Sequence, residues 1–210
     1  MNPRFLGDSY DIVKQSLLRW LASMGPWATH PMFTEPATPE QADAFAQLLG
    51  TPLLSREVLT RGVDRGAYMA PARECHDHVF LDPDTGIRLG PTRGKKTPQY
   101  VFGGELVAIA SARPARLTLV FDQSLARGAE PERQQQLKDK LSRLETMGVH
   151  GVAYFSHACF VLVGKDRSLV KEAFETLNKD SHLPGSRFLE SAPQNKATKR
   201  TAFGAGASHA

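Results

Sequence analysis

The chain has 210 residues, of which 41% are hydrophobic and 23% are charged, and its net charge is +4. This length suits one domain with a sizeable core, and no apolar run approaches the roughly 20 residues that a membrane-spanning helix needs. Cys75 and Cys159 belong to no C-x-x-C or spaced Cys/His array, so no zinc motif is readable. The first residues lack an apolar signal-peptide core, so the expected location is the cytoplasm.

The predicted elements alternate between helices and strands, because the apolar residues switch between helical spacing and short continuous runs. In chain order, the pattern predicts a helix over 8–24, a strand in 27–33, a helix over 39–49, a short helix near 55–61, a strand over 78–82, a helix over 99–112, a strand over 116–124, a helix over 131–147, two strands in 149–164 and a helix that begins at Asp166.

This alternation is typical of the α/β class. We predict a single three-layer domain over residues 1–190, with a mostly parallel sheet, helices on both faces and a C-terminal strand hairpin. Residues 191–210 carry three basic residues and no acid, which predicts a basic, disordered tail. Sites in such folds form beyond the carboxyl ends of the strands.

The leading candidates for chemistry are Asp82 and Asp84, which follow the predicted strand HVFL. Side chains two positions apart on an extended chain point the same way, so both carboxylates are expected to face one cleft. Paired carboxylates can supply acid–base chemistry or hold a divalent cation. The structural alternative is turn formation, which Asp-Pro and Asp-Thr-Gly also favour.

Other candidate groups lie at further strand ends and helix starts. Some of them also have a purely structural explanation, because an acid at a helix start caps the helix or interacts favourably with its dipole. The candidate catalytic residues besides Asp82 and Asp84 are Asp8, Asp11 and His157. The candidate substrate-binding residues at these positions are Lys14, Glu105, Asp122, Gln123, Ser124 and Ser156.

The segment from Thr85 to Gly104 is a glycine- and proline-rich loop with four basic residues and no acid. A basic loop directly after an acidic strand end is suited to hold phosphates, although a solvated loop has the same composition. We expect Arg93, Lys95 and Lys96 to contact nucleic-acid phosphates, and Tyr10 or Tyr100 to stack on a base.

Four stretches, GDSYDIVKQSLLRWL, VFLDPDTGI, LVFDQS and YFSHACF, resemble a little-described prokaryotic family of small α/β proteins. Members of that family carry GD-x-x-D-x-x-K-x-x-L-L and FLDPD-[TN]-G motifs, and the resemblance covers most of residues 5–190. A weaker resemblance is to antiviral prokaryotic DNA glycosylases that remove modified, glucosylated cytosines from phage DNA. This second resemblance implies a compact α/β hydrolase with acidic residues at strand ends.

The leading functional prediction is therefore a hydrolase acting on nucleic acid, specifically a DNA glycosylase in antiviral defence that needs no metal or redox cofactor. Its substrate would be a base flipped out of DNA. The second half of the chain also resembles Rossmann-like methyltransferases, but no glycine-rich cofactor loop follows the first strand. A metal-dependent nuclease using Asp8, Asp11, Asp82 and Asp84, and a binding module without activity, are the remaining alternatives.

Overall fold

The structure, a computed structural model, describes residues 1–90 and 97–191. The strands β1 to β8 are Trp27–His30, His78–Leu81, Gly86–Arg88, Tyr100–Phe102, Leu117–Phe121, His150–Tyr154, Phe160–Gly164 and Phe188–Glu190. The α-helices α1 to α7 are Ser9–Trp20, Pro39–Leu49, Arg65–Tyr68, Ala70–Glu74, Gly103–Ala112, Glu130–Thr146 and Arg167–Ser181. The predicted tail lies outside the described residues from position 192 onward.

Six strands form one mixed sheet in the order β1-β2-β5-β7-β6-β8, and β3 pairs with β4 in a separate ladder. β1, β2 and β5 are parallel neighbours, whereas β7 is antiparallel to both β5 and β6. Because β5 and β6 are both antiparallel to β7, the strands β1, β2, β5 and β6 share one direction. β8 is antiparallel to β6. The predicted mainly parallel sheet and the β6–β7 hairpin are confirmed, and β7 inserts between β5 and β6.

Helices cover both faces of the sheet, which confirms the predicted α/β class. Apolar residues of α4, α5 and α6 pack on one face, and those of α1, α2 and α7 pack on the other. All five residues of β5 are buried. Strands with two covered faces need apolar side chains in both directions, which explains the near-continuous apolar runs in the sequence.

Local signals at the helix ends account for several boundaries that the sequence predicts correctly. At the start of α2, Thr38 and Gln41 form a reciprocal capping box, and Pro39 occupies the first turn. α2 ends where Gly50 adopts a left-handed conformation with φ of 70°. Asp166 caps α7 by accepting a hydrogen bond from the Ser168 amide.

The predicted secondary structure is wrong or incomplete at several positions. Residues 55–61 form no helix, because the Leu59 amide bonds instead to the Phe33 carbonyl at 2.7 Å and its side chain is buried. The helix predicted over 99–112 begins only at Gly103, since β4 precedes it and pairs with β3. The short strand β8 was not predicted, and its three residues extend the sheet beyond β6.

Within the described residues, none of the helices combines the length and the apolar character that crossing a membrane requires.

Candidate functional site

The carboxyl ends of the parallel strands meet at one edge of the sheet, and a cavity of about 400 Å³ opens there. We call it the acidic cavity, since its lining includes four carboxylates and one lysine. Its charged residues are Asp8, Asp11, Lys14, Asp82 and Asp84. The structure therefore brings together five predicted site residues from two distant parts of the chain, at the edge where α/β folds place their sites.

The start of α1 delivers three of these side chains to the acidic cavity. Asp8 is the N-cap, and its Oδ1 accepts hydrogen bonds from the amides of Tyr10 and Asp11. Asp11 Oδ2 accepts from the Gly7 amide at 2.8 Å. Lys14 follows Asp11 by about one helical turn, so both side chains lie on the same side of α1. The capping prediction and the cavity prediction for Asp8 are thus compatible.

Lys14 joins α1 to the end of β2 through two buried ion pairs. Its Nζ lies 2.8 Å from Asp11 Oδ1 and 2.8 Å from Asp82 Oδ2. The Phe121 ring centroid is 4.9 Å from the same ammonium. Lys14 is only 4% exposed and Asp82 only 1% exposed. Charges held this far from water need close partners, so this triad holds the helix start in register with the strand end.

The second oxygen of Asp82, Oδ1, is buried and has no hydrogen-bond partner among the described residues. Burial raises the pKa of Asp82, outweighing the attraction of Lys14. Burial by itself would lower the pKa of Lys14, but Asp82 and Asp11 together raise it. Lys14 and the Met1 amino group both lower the pKa of Asp82 and Asp11 raises it slightly, so burial is the main reason that Asp82 favours uptake of a proton.

Asp84 completes the carboxylate pair, but its environment differs from that of Asp82. It is half-buried and makes no hydrogen bond or ion pair within the part of the chain that the structure describes. The buried Asp82 and the accessible Asp84 therefore line one cavity in two different environments. Such a difference is what acid–base chemistry with two carboxylates requires.

Aromatic residues form the apolar part of the cavity wall. Tyr10 meets Phe121 edge-to-face, with ring centroids 5.6 Å apart. His157 is exposed and packs against the outer side of Tyr10, with ring centroids 5.5 Å apart. The Gln123 side chain lines the cavity and donates to the His157 carbonyl at 2.9 Å. The His157 ring therefore stacks beside the cavity wall and does not line the cavity itself.

The structure also places residues at the cavity that the sequence did not single out. Asn2, Phe5 and Phe121 line it, and Phe5 is 62% exposed at its rim. The amino group of Met1 donates to the Asp82 carbonyl at 2.9 Å. An exposed phenylalanine five residues from the start is a weak sequence signal, since isolated surface apolar residues are common.

Asp122, Ser124 and Tyr100 belong to a different site. Asp122 is buried and forms an ion pair with Lys140, and its Oδ1 accepts from the Ser124 hydroxyl at 2.7 Å. Ser124 and Tyr100 line a second depression of about 390 Å³, together with Arg88, Lys140 and Arg143. We call this the basic depression.

The remaining predicted site residues lie elsewhere. Glu105 pairs with Arg65 and accepts from the Phe102 amide, which is the structural role of an acid at a helix start. The Ser156 hydroxyl bonds within its own loop, donating to the Ala158 carbonyl and accepting from the Ala158 amide. The predicted phosphate contacts Arg93, Lys95 and Lys96 fall outside the described residues.

A metal centre built from these carboxylates does not fit the geometry. Across residues 1–90 and 97–191, no group of three or more His, Cys, Asp or Glu side chains is arranged to hold a metal ion. Lys14 Nζ occupies the position between Asp11 and Asp82 that a bridging cation would need. The nuclease alternative places Mg²⁺ on these acids, so an ion bridging Asp11 and Asp82 would have to replace Lys14 Nζ.

Comparison of the chain with protein-family models, curated proteins and solved structures finds no match.

Proposed function

We propose that this protein is a hydrolase of N-glycosidic bonds that acts on a nucleoside unit of nucleic acid, as a DNA glycosylase does. The observation that carries the proposal is that buried Asp82, whose Oδ1 has no hydrogen-bond partner among the described residues, lines the acidic cavity beside the more accessible Asp84. An oxocarbenium-like sugar carries positive charge, and paired carboxylates stabilise such a charge in glycoside hydrolysis.

The charge of the acidic cavity determines which part of a nucleic acid enters it. Four carboxylates and one lysine repel phosphates, so the backbone stays outside and only the uncharged sugar and base are admitted. The volume of about 400 Å³ lies within the usual range for small-molecule sites. Entry of a single nucleoside from a duplex requires that its base be flipped out, at a cost of a few kcal/mol.

The two carboxyl groups take different parts in the reaction. When Asp82 has taken up a proton, it donates that proton to the departing base nitrogen, which receives the electron pair of the broken C–N bond. Asp84 orients a water molecule toward the sugar carbon, and it takes the proton that the water loses as the new C–O bond forms. A proton then returns from Asp84 to Asp82 through solvent. Tyr10 and Phe5 provide aromatic surface for the base.

The test uses DNA oligonucleotides with unmodified, methylated or glucosylated cytosine, incubated with the protein in EDTA and then treated with hot alkali. Strand breaks that appear only after alkali report abasic sites. We expect Asp82→Asn to slow their formation by at least about 100-fold, the lower range for loss of a general acid. Asp180→Asn, at an exposed position on α7, is the matched control and should retain the full rate.

Two outcomes would overturn the proposal. One is the absence of abasic sites with every substrate. The other is an Asp82→Asn protein that is folded and fully active. Strand cleavage that occurs without alkali and disappears in EDTA would instead support a nuclease.

One observation favours a second candidate, a methyltransferase-like protein. If the separate β3–β4 ladder is left aside, the acidic Asp-Pro turn after β2 is followed by α5, β5, α6 and the β6–β7 hairpin, the order on which that resemblance depends. Against it, β1 ends at His30 and is followed by Pro31-Met32-Phe33, which is not a glycine-rich cofactor turn. An increase in melting temperature with S-adenosylmethionine would support this candidate, and no change would count against it.

A further inference from the structure

The basic depression differs in charge from the acidic cavity. Arg88, Lys140 and Arg143 line it, and Asp139 is the single carboxylate among the described residues of its lining. Apolar side chains, including Leu89, form the rest of its surface. Three cations around a depression of about 390 Å³ attract anions, whereas the acidic cavity repels them.

The cations of the basic depression retain hydrogen-bond donors that the described residues do not use. Lys140 contacts Asp122 and the Ser124 hydroxyl, which leaves one of its three N–H groups. Arg143 is exposed and donates only to the Leu89 carbonyl, at 3.2 Å. Arg88 makes no hydrogen bond within the described residues, and its guanidinium lies 5.4 Å from the Tyr100 ring centroid.

Buried contacts fix the position of this cluster. Asp122 is fully buried, and its Oδ1 also accepts from the Ile87 amide at 3.0 Å. The ion pair with Asp122 holds the Lys140 ammonium beside the Ser124 hydroxyl. A guanidinium packed on an aromatic ring and a lysine held by a buried acid lose little further freedom when an anion binds. A preorganised cluster of this kind suits phosphate oxygens.

The two sites are adjacent along the chain. Gln123 lines the acidic cavity, and the next residue, Ser124, lines the basic depression. Consecutive Cα atoms are about 3.8 Å apart, so a single step of the chain after β5 separates the two linings. A polynucleotide presents the same pairing of chemistries, since each uncharged nucleoside is joined directly to a charged phosphate.

We propose that the basic depression binds a backbone phosphate of the nucleic-acid strand whose nucleoside enters the acidic cavity. The identity of the ligand as nucleic acid rests on the proposed function, whereas the phosphate chemistry rests on Arg88, Lys140 and Arg143. Phosphate contacts set the position and register of a strand and carry no base information. Binding at this depression is therefore independent of sequence and weakens as salt increases.

The experiment measures binding of a fluorescent single-stranded oligonucleotide by anisotropy over a range of salt concentrations. Arg143→Ala and, separately, Arg88→Ala should each weaken binding several-fold at low salt. Each should also reduce the slope of log K against log salt by about 0.7, the value for one phosphate contact on a single strand. Arg19→Ala, at an exposed arginine on α1 that lines neither site, is the matched control and should change neither quantity.

Two results would overturn the proposal. In the first, both variants keep the wild-type affinity and the wild-type salt slope. In the second, inorganic phosphate displaces the oligonucleotide at an equal concentration of phosphate groups, so that free phosphate and not a strand is the ligand. Arg143→Lys keeps the positive charge and should therefore restore the slope of log K against log salt. Melting curves show whether each variant is folded. Failure of this binding proposal can be distinguished from failure of the proposed glycosidase activity, which is tested by the formation of abasic sites. Loss of binding in Arg143→Ala would support the phosphate site even if no abasic sites form with any substrate.

Discussion

Replacing Lys14 with methionine tests the buried triad at the acidic cavity. Lys14→Met keeps most of the apolar stem and removes the ammonium that contacts Asp11 and Asp82. Two carboxylates would then share a site almost closed to water, with no cation between them. Removing one partner of a buried ion pair leaves an uncompensated charge and typically costs about 3–5 kcal/mol.

The structure places this variant within that range. Both contacts of Lys14 are short, the residue is 4% exposed, and the ammonium also faces the Phe121 ring, a contact worth about 0.5–2 kcal/mol. We therefore expect a loss of about 4 kcal/mol in the free energy of unfolding at pH 7. An exposed pair gives the contrast, because Lys171 lies 3.6 Å from Glu175 on α7 and Lys171→Met should cost no more than about 0.5 kcal/mol.

The loss should also depend on pH. The pKa of Asp82 is already raised by burial, and removing Lys14 raises it further. A carboxyl whose folded pKa exceeds its unfolded pKa of about 3.9 binds its proton more readily in the native state. Native stability therefore rises as pH falls through the folded pKa toward the unfolded pKa. The deficit of Lys14→Met relative to the wild-type protein should shrink as pH falls through the folded pKa of Asp82 in the variant.

Urea unfolding followed by circular dichroism measures both quantities. Lys14→Met/Asp82→Asn should be more stable than the sum of the two single variants predicts, since the double variant leaves fewer charges unpaired. A loss below about 1 kcal/mol that does not change with pH would refute the interpretation of Lys14 as the cation that neutralises this site.

Three further predictions concern other positions. His30 is fully buried, and burial lowers its pKa to about 4. The free energy of unfolding should therefore fall by up to about 3 kcal/mol as pH decreases from 6.5 to 4. Urea unfolding of His30→Gln should show a smaller loss over the same pH range. Gly86→Ala should lower the free energy of unfolding, measured by thermal unfolding, by several kcal/mol, because Gly86 has φ of 136° and a Cβ would lie 2.9 Å from the Asp122 Cα. The control Gly62→Ala places its Cβ in open space and should change stability by no more than about 1 kcal/mol. Phe5→Ala should raise KM for oligonucleotide about tenfold without lowering the melting temperature, if Phe5 stacks on the base, and an unchanged KM would remove it from the site.

Local chemistry explains what could be predicted from the sequence. The cap at Asp8, the capping box at Thr38 and the buried strand before Asp82 each depend on residues a few positions apart. Their side chains interact in any chain that forms the same element, so the pattern alone indicates them. Topology then brought Asp8, Asp11 and Asp82 together, because the predicted strand end and helix start share one edge of the sheet.

Long-range pairing explains what could not be predicted. Asp122 follows a strand just as Asp82 does, yet it points to α6 and pairs with Lys140. Lys140 and Arg143 lie on the polar side of α6, where charged residues usually face solvent, so the sequence pattern does not mark them as part of a site. Residues 55–61 contain one apolar pair, Val58-Leu59, and a backbone hydrogen bond from the Leu59 amide to the Phe33 carbonyl holds this segment in a non-helical conformation.

The position of β7 has a consequence for how the chain acquires its structure during synthesis. β7 is the seventh strand in sequence and yet lies between β5 and β6, bonded to both. While residues 160–164 remain inside the ribosome, β5 presents a row of unpaired amides and carbonyls on the side that β7 later covers. The nascent protein therefore passes through an interval in which its central sheet is open, and chaperone binding is expected to be greatest there.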